Sequence, residues 1–360
     1  MRLFKKSSII FCSLLLLTAC VKTKVIDDVE IIMLYGFDWE ASTKEYIGTG
    51  VSPLYGYSEQ ADTRENAAYT SQSSSIQGIT SQIQHKAPFQ VETGKLTSVL
   101  FGEEVAQIGI SDILQGINEM PDIGRMLHPL IVEGRAENLL SEQYQLEQTL
   151  PRYIKSLIDS NIKRNLPKMT LHDLNYRYYG EGMDPFMPII ADRETIVDIV
   201  GLGFFNHDKL VYKTGTDSFF AFKALYEDSN DATYQFEWKK KNKSLSVISI
   251  QSNQKKKWVS KNKLEITVKI EGYIAEAESL GLDKPQNKRK LEKQIGEKLE
   301  EECSELIKKF QELDIDPLMI GASAKSTFRD WNKKEWEETY PTIDIQPKIY
   351  FHIKQTNLTK

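Results

Sequence analysis

The sequence predicts an α+β fold with two or three domains, each of them a mostly antiparallel sheet flanked by helices. Its clearest strand is 264–270, where apolar and polar residues alternate, a pattern typical of a sheet with one buried and one solvated face. Its clearest helix carries an apolar stripe of residues three or four positions apart, from Leu291 to Leu313. A chain of 360 residues is long enough for more than one domain.

The first half of the chain alternates strands with helices. Its predicted strands lie at 31–35, 46–51, 96–101 and 129–132. Its predicted helices begin at Ile76, Ser111, Ala136 and Pro151. The polar segment between the first two strands favours a hairpin. Pro151 suits the first turn of the last of these helices. These elements predict an N-terminal α/β or α+β domain over residues 29–165.

Residues 166–195 differ from their surroundings in composition. Glycines and prolines interrupt a tyrosine-rich stretch, at Pro167, Gly180, Gly182, Pro185 and Pro188. These two residue types are the strongest local breakers of regular structure. The stretch is therefore interpreted as a linker region or a small middle domain.

Residues 196–360 are predicted to form a C-terminal α+β domain. Besides the long helix, it has a predicted helix at 219–225 and predicted strands at 196–205, 210–212, 245–251, 264–270 and 343–353. Pro347 indicates that the last strand lies at an edge or contains a bulge. The Lys255-Lys256-Lys257 run is interpreted as a solvated turn, with a patch for lipid headgroups as the alternative. Asp316-Pro317 and Gly321 are expected to end the long helix and turn the chain.

The N-terminus has the features of a secreted lipoprotein. Arg2, Lys5 and Lys6 precede an apolar run at 9–17, which is shorter than the roughly 20 residues needed to cross a bilayer core. The run ends in Leu17-Thr18-Ala19-Cys20, the arrangement of a lipobox. We expect residues 1–19 to be removed, lipid attached at Cys20, and a tether over 20–28, which would hold the protein on the outer face of the cell membrane. An ordinary secretory signal is the alternative.

Composition and motifs speak against several function classes. Removing the leader, which has three basic residues and no acidic ones, changes the net charge from −5 to −8, and this argues against nucleic acid as a partner. The five histidines show no metal-ligand spacing, and the sequence has no phosphate-binding or dinucleotide-binding glycine motif. We therefore expect no metal or cofactor and no catalysis.

Three further residues of the second half have two interpretations each. Cys303 lies on the apolar stripe of the long helix, which favours a buried structural thiol over a reactive one. Trp331 and Trp336, which lie near Phe328 and Tyr340, are interpreted as core aromatics. The alternative is a surface for a partner protein, because aromatic residues are favoured in interfaces.

Several short motifs follow the lipobox in order: Tyr35-Gly36-Phe37-Asp38, Gly134-Arg135-Ala136, Gly182-Met183-Asp184-Pro185, Gly201-Leu202-Gly203-Phe204-Phe205 and Asp316-Pro317-Leu318-Met319-Ile320-Gly321. This series, together with the length of the chain, resembles the C-subunit lipoproteins of spore germinant receptors, the Ger(x)C family. The resemblance covers nearly the whole mature chain. It implies a multi-domain α+β fold, no known catalysis, and a role in nutrient-triggered spore germination with integral A and B subunits in the inner spore membrane. The residues leave open, as alternatives, a solute-binding lipoprotein of a transporter and a cell-envelope hydrolase.

Overall fold

The computed structural model describes residues 29–54, 65–238, 243–275, 280, 282 and 284–354. Cys20, the predicted signal peptide and the predicted tether lie outside the described residues. The strands are β1 Val29–Ile31, β2 Leu34–Glu40, β3 Glu45–Pro53, β4 Asn66–Ser73, β5 Gln90–Glu92, β6 Ser98–Gly102, β7 His128–Val132, β8 Phe186–Asp192, β9 Val197–Asn206, β10 Lys209–Gly215, β11 Thr233–Trp238, β12 Lys243–Ser260, β13 Lys263–Ile274 and β14 Asp344–Ile353. The helices are α1 Ile76–Gln84, α2 Glu103–Ile108, α3 Ser111–Asn118, α4 Ala136–Ser141, α5 Leu150–Ile162, α6 Leu171–Tyr179, α7 Phe219–Tyr226, α8 Pro285–Glu312, α9 Ile320–Thr327 and α10 Lys333–Thr339.

The larger sheet has eight strands in the order β10-β9-β8-β7-β6-β2-β3-β4. The central strands β2, β6, β7 and β8 pair in parallel, and antiparallel pairs extend the sheet on both sides. Every residue of β6 and β7 is buried, as expected for parallel strands covered on both faces by helices. The predicted hairpin of the first half is formed by β2 and β3. The predicted α+β class is confirmed, and the sheets are mixed in direction.

Residues 166–195, interpreted from sequence as a linker or small domain, contain α6 and β8 of the larger sheet. Helix α6 begins with a capping box, in which the Thr170 side chain accepts from the Asp173 backbone and the Asp173 carboxylate accepts from the Thr170 backbone. Strand β8 then pairs with β9, so the sheet continues past residue 195 to the end of β10. Strand β8 of this stretch is therefore part of the larger sheet, whereas the division of the chain into domains stays a prediction.

The smaller sheet has four strands in the order β11-β12-β13-β14. Strand β14 lies at an edge, as Pro347 predicts. The long helix α8 covers this edge: the Glu300 carboxylate accepts a hydrogen bond from the Ile349 backbone N–H at 3.2 Å, and the Glu292 carboxylate accepts one from Ile353 at 2.8 Å. Carboxylates on one helix thus satisfy two of the backbone donors of β14, and the helix covers this edge against another strand.

Helix α8 buries the apolar stripe that the sequence predicts, including Leu291, Ile295, Leu299 and Phe310. Cys303 is fully buried on this stripe, which confirms the prediction, and burial raises the pKa of its thiol. The Phe310 ring lies 4.9 Å from that of Phe204 in the larger sheet. The two sheets therefore share one apolar core across their boundary. None of the described helices combines the length and apolar character needed to cross a bilayer.

Candidate functional site at the interdomain junction

Two loops, one from each half of the chain, contact each other next to the C-terminal end of α8. One loop, 180–185, follows α6, and the other, 313–319, joins α8 to α9. The Asp184 N–H donates to the Asp316 carbonyl at 2.9 Å, and the Asp316 N–H donates to the Asp184 carboxylate at 2.7 Å. The Ala322 N–H donates to the Gly182 carbonyl at 2.9 Å. We call these two loops, together with the first turn of α9, the interdomain junction.

Asp316 organises the second loop of the junction. Its carboxylate is 3% exposed and accepts hydrogen bonds from the Ile320 N–H at 2.9 Å and the Gly321 N–H at 2.6 Å. These donors belong to the first turn of α9, which otherwise has no partners for them. The preceding Met319 has a left-handed backbone, with φ 58°, which reverses the chain into that helix. The chain turns after the long helix, as predicted, but the helix ends at Glu312, the positive φ angles are those of Asp314 and Met319, and Gly321 lies inside α9 without one.

Arg177 of α6 donates hydrogen bonds to both loops. Its guanidinium is 2% exposed and donates to the carbonyls of Asp184 and Pro317, both at 3.0 Å. The same group lies 5.2 Å from the ring centroid of Phe186 and 5.0 Å from that of Tyr226. A planar cation between two aromatic rings gains attraction from both, which offsets part of the cost of burying the charge.

Lys256 is the second cation at the junction and is half-buried. The sequence interpretation of Lys255-Lys256-Lys257 as a turn is wrong, because all three residues lie within the long strand β12. Alternation along the strand directs Lys256 inward, where its ammonium donates to the Leu318 carbonyl. Burial lowers the pKa of Lys256 to about 8, although the nearby Asp316 opposes this change. The junction therefore balances two carboxyl groups, the buried Asp316 and the half-buried Asp184, with two cations, the buried Arg177 and the half-buried Lys256.

The contribution of Asp316 and Lys256 to the stability of the protein is expected to be smallest near neutral to mildly alkaline pH. Burial raises the pKa of Asp316 from 3.8 to about 7, so between these values the folded state holds a proton that the unfolded chain releases, and the free energy of unfolding falls as pH rises. Lys256 has a folded pKa of about 8 against 10.5, so above pH 8 the unfolded chain holds the extra proton and stability rises again. Thermal unfolding from pH 4 to 10 measures both slopes.

Two variants separate these contributions. Asp316→Asn should flatten the fall in melting temperature between pH 4 and 7, and Lys256→Met should flatten the rise above pH 8. The comparison concerns slopes only, because each substitution also changes hydrogen bonds and packing that do not depend on pH. Slopes unchanged from the wild type in both variants would contradict a proton-binding pair at the junction.

The junction opens on one side into a cavity of about 230 Å³. Its lining combines carboxylates with a cation and aromatic rings, and includes Asp184, His207, Asp314, Lys333, Trp336 and Tyr340. The His207 ring stacks on Tyr178 at 4.5 Å, and its backbone N–H donates to the Asp184 carboxylate at 2.9 Å. The Tyr340 hydroxyl donates to the Ile315 carbonyl at 2.8 Å. Most of the polar groups near the cavity are thus already engaged in holding the two loops.

The two tryptophans proposed from the sequence, Trp331 and Trp336, differ in how deeply they are buried. Trp336 is 8% exposed, and its ring packs edge-on against Trp258 at 6.3 Å and tilted against Tyr340 at 5.4 Å, as the core interpretation predicts. Trp331 is partly exposed and lies under the Lys325 ammonium, 5.3 Å from its ring. Both tryptophans line a second cavity of about 70 Å³, and the buried Trp331 Nε1–H has no hydrogen-bond partner among the described residues.

No group of three or more His, Cys, Asp or Glu side chains in the described part of the chain is arranged to hold a metal ion. His128 pairs with Asp159 at 2.9 Å and also contacts the Met169 carbonyl, far from the junction in the larger sheet. The junction residues Arg177 and Lys256 were not predicted from sequence. The only sequence signals near them are the Gly182–Pro185 and Asp316–Gly321 motifs, which the fold brings together.

Two family models together match most of the chain. The family model for the spore germination protein N-terminal domain matches residues 22–192, and the model for the C-terminal domain of spore germination B3 and GerAC-like proteins matches residues 200–357. The chain belongs to the GerAC-like family of spore germination proteins. The family membership predicted from sequence is therefore confirmed. The matched segments meet between residues 192 and 200, although the larger sheet itself continues across that point.

Individual relatives agree with this membership. The spore germination protein GerQC of Bacillus cereus is 26% identical over 350 residues, which cover 96% of each chain. The putative spore germination protein YfkR of Bacillus subtilis (strain 168) is 22% identical over 286 residues, 75% of this chain and 73% of that protein. The crystal structure of the GerBC protein superposes with a TM-score of 0.55 at 17% identity, covering 89% of this chain and 97% of that one. This last likeness supports the multi-domain α+β fold.

Proposed function

We propose that the protein is the lipid-anchored, non-catalytic C subunit of a spore nutrient-germinant receptor, assembling with integral A and B subunits in the inner spore membrane. The observation that carries the proposal is membership of the GerAC-like family across both domains, with a relative matched over 96% of each chain. The lipobox ending at Cys20 supports the anchor. Confinement to a membrane raises the effective concentration of the protein near membrane partners.

The interdomain junction supports a role as a rigid assembly unit. Backbone and side-chain hydrogen bonds between the loops, the buried Arg177 and the shared phenylalanine core fix one domain relative to the other. A preorganised surface loses less conformational entropy when it binds a partner. We propose Trp331 as a partner contact, because its side chain is partly exposed and lines an open cavity. Trp336 supports that surface from the core.

A pull-down of the tagged protein from detergent-solubilised spore membranes tests the proposal, with mass spectrometry of the recovered proteins. We expect wild type to recover multi-span A-type and B-type subunits, Cys20→Ala to recover much less of both, and Trp331→Ala to recover less while staying in the membrane fraction. Cys12→Ala, altered within the leader, and Tyr350→Ala, an exposed aromatic residue of β14, are the matched controls. Recovery of an ATP-driven permease, or of no membrane protein, would contradict the proposal.

A further inference from the structure

A groove of about 840 Å³ follows the open edge of the smaller sheet, between β11 and α8. The opposite edge, β14, is covered by α8, but in the part of the chain that the structure describes no strand pairs with the outer side of β11. The side chains of Gln235 and Glu237 on β11 are both exposed. An unprotected edge strand is a template for another extended chain.

The backbone of β11 shows which groups face the groove. The Ala232 carbonyl accepts from the Ser249 N–H of β12 at 2.7 Å, so Ala232 faces inward. Thr233 faces outward, where the Asn165 side-chain amide accepts from its N–H and donates to its carbonyl, both at 2.7 Å. Asn165 thus makes the pair of bonds that a neighbouring strand would make. Because antiparallel pairing alternates, the next outward N–H and C=O groups are those of Gln235 and Glu237.

The described side chains that line the groove carry an excess of negative charge. Five are acidic, namely Asp217, Glu237, Glu297, Glu301 and Glu302, and one is basic, Lys298. Lys298 is already bonded to Glu301 at 2.8 Å. Gln294 also lines the groove. The groove therefore offers carboxylates to a ligand that brings donors and positive charge.

We propose that this groove binds an extended segment of a partner protein rich in lysine or arginine, which adds to β11 as a fifth strand of the smaller sheet. Main-chain bonds to Gln235 and Glu237 would give affinity, and basic side chains opposite the α8 carboxylates would give specificity. A second copy of this chain fits less well, because pairing two β11 edges would bring two acidic grooves together. The proposal does not depend on the receptor function.

Binding of two fluorescent peptides to the full-length protein in detergent, at physiological ionic strength, tests this proposal. One peptide is acetyl-Lys-Val-Lys-Val-Lys-Val-Lys-amide, and the other has glutamate in place of each lysine. Gln235→Pro removes an outward N–H that β12 does not use, so an edge strand can accept it without losing its fold. We expect wild type to bind the lysine peptide alone and Gln235→Pro to bind it about tenfold more weakly, while Gln235→Ala, which keeps the N–H, stays within about twofold.

A second variant, with two substitutions on α8, changes the charge of the groove without changing β11. Glu297→Lys with Glu301→Lys should also weaken binding by about tenfold, and thermal unfolding checks that each variant is folded. Equal binding by Gln235→Pro and wild type would overturn strand addition, and equal binding of both peptides would overturn the preference for a basic segment. A wild-type dimer in sedimentation that Gln235→Pro dissociates would assign the edge to a second copy instead.

Discussion

Replacing Arg177 with alanine is expected to lower the free energy of unfolding by about 3–5 kcal/mol. The change leaves the Asp184 and Pro317 carbonyls buried without their donor and opens a cavity between Phe186 and Tyr226. Loss of the charge itself returns some stability, because burying a cation is costly. Urea unfolding followed by circular dichroism measures the difference.

Further variants at this position separate volume, charge and geometry. Arg177→Met fills the space without donating hydrogen bonds and should lose less than alanine, and Arg177→Lys keeps the charge but cannot donate to both carbonyls while stacking on the rings. Arg193→Ala is the control: this arginine is 48% exposed and paired with Glu133 at 3.4 Å, so its loss should cost less than about 1 kcal/mol. An Arg177→Ala protein as stable as this control would show that the guanidinium does not hold the two loops.

Elements with a long, regular pattern were predictable from the sequence. Helix α8 repeats its apolar positions from Leu291 to Phe310, and β13 alternates without a break, so local periodicity is enough to define both. Strand β8 was missed because Gly180, Gly182 and Pro185 precede it and Pro188 lies inside it. Pro188 is compatible with the sheet because β7 pairs only with Ile189 and Ile190 further along the strand.

The contacts of the interdomain junction could not be predicted from local sequence patterns. Arg177 donates to a carbonyl 140 positions away, and Lys256 to one 62 positions away. Nothing near either residue in sequence indicates these partners, and a run of three lysines ordinarily marks solvated surface. The motifs at Gly182–Pro185 and Asp316–Gly321 were recognised as turns and as family features. That they bind one another follows only from the fold.

Gly182→Ala is expected to open the junction, at a cost of about 3–4 kcal/mol in the free energy of unfolding. The backbone of Gly182 has φ +68°, in the left-handed region that L residues avoid, and a Cβ there would lie 2.6 Å from the Gly321 carbonyl carbon. Because the obstructing atom is backbone and not the end of a flexible side chain, the two loops must move apart. Chemical unfolding and limited proteolysis of the two loops measure the effect.

Alanine substitutions at two other glycines measure backbone strain and steric contact separately. Gly134 has φ +83° but open space around it, so Gly134→Ala should cost only the left-handed strain, about 1–2 kcal/mol. Gly321 lacks a positive φ, but its Cβ would lie 2.6 Å from both the Gly182 Cα and the Trp336 Nε1, so Gly321→Ala should cost about 1–3 kcal/mol through contact alone. If Gly182→Ala loses no more than Gly134→Ala, the loops do not touch in solution. If its loss is close to the sum of the other two, direct backbone contact fixes one domain on the other, as a rigid assembly unit requires.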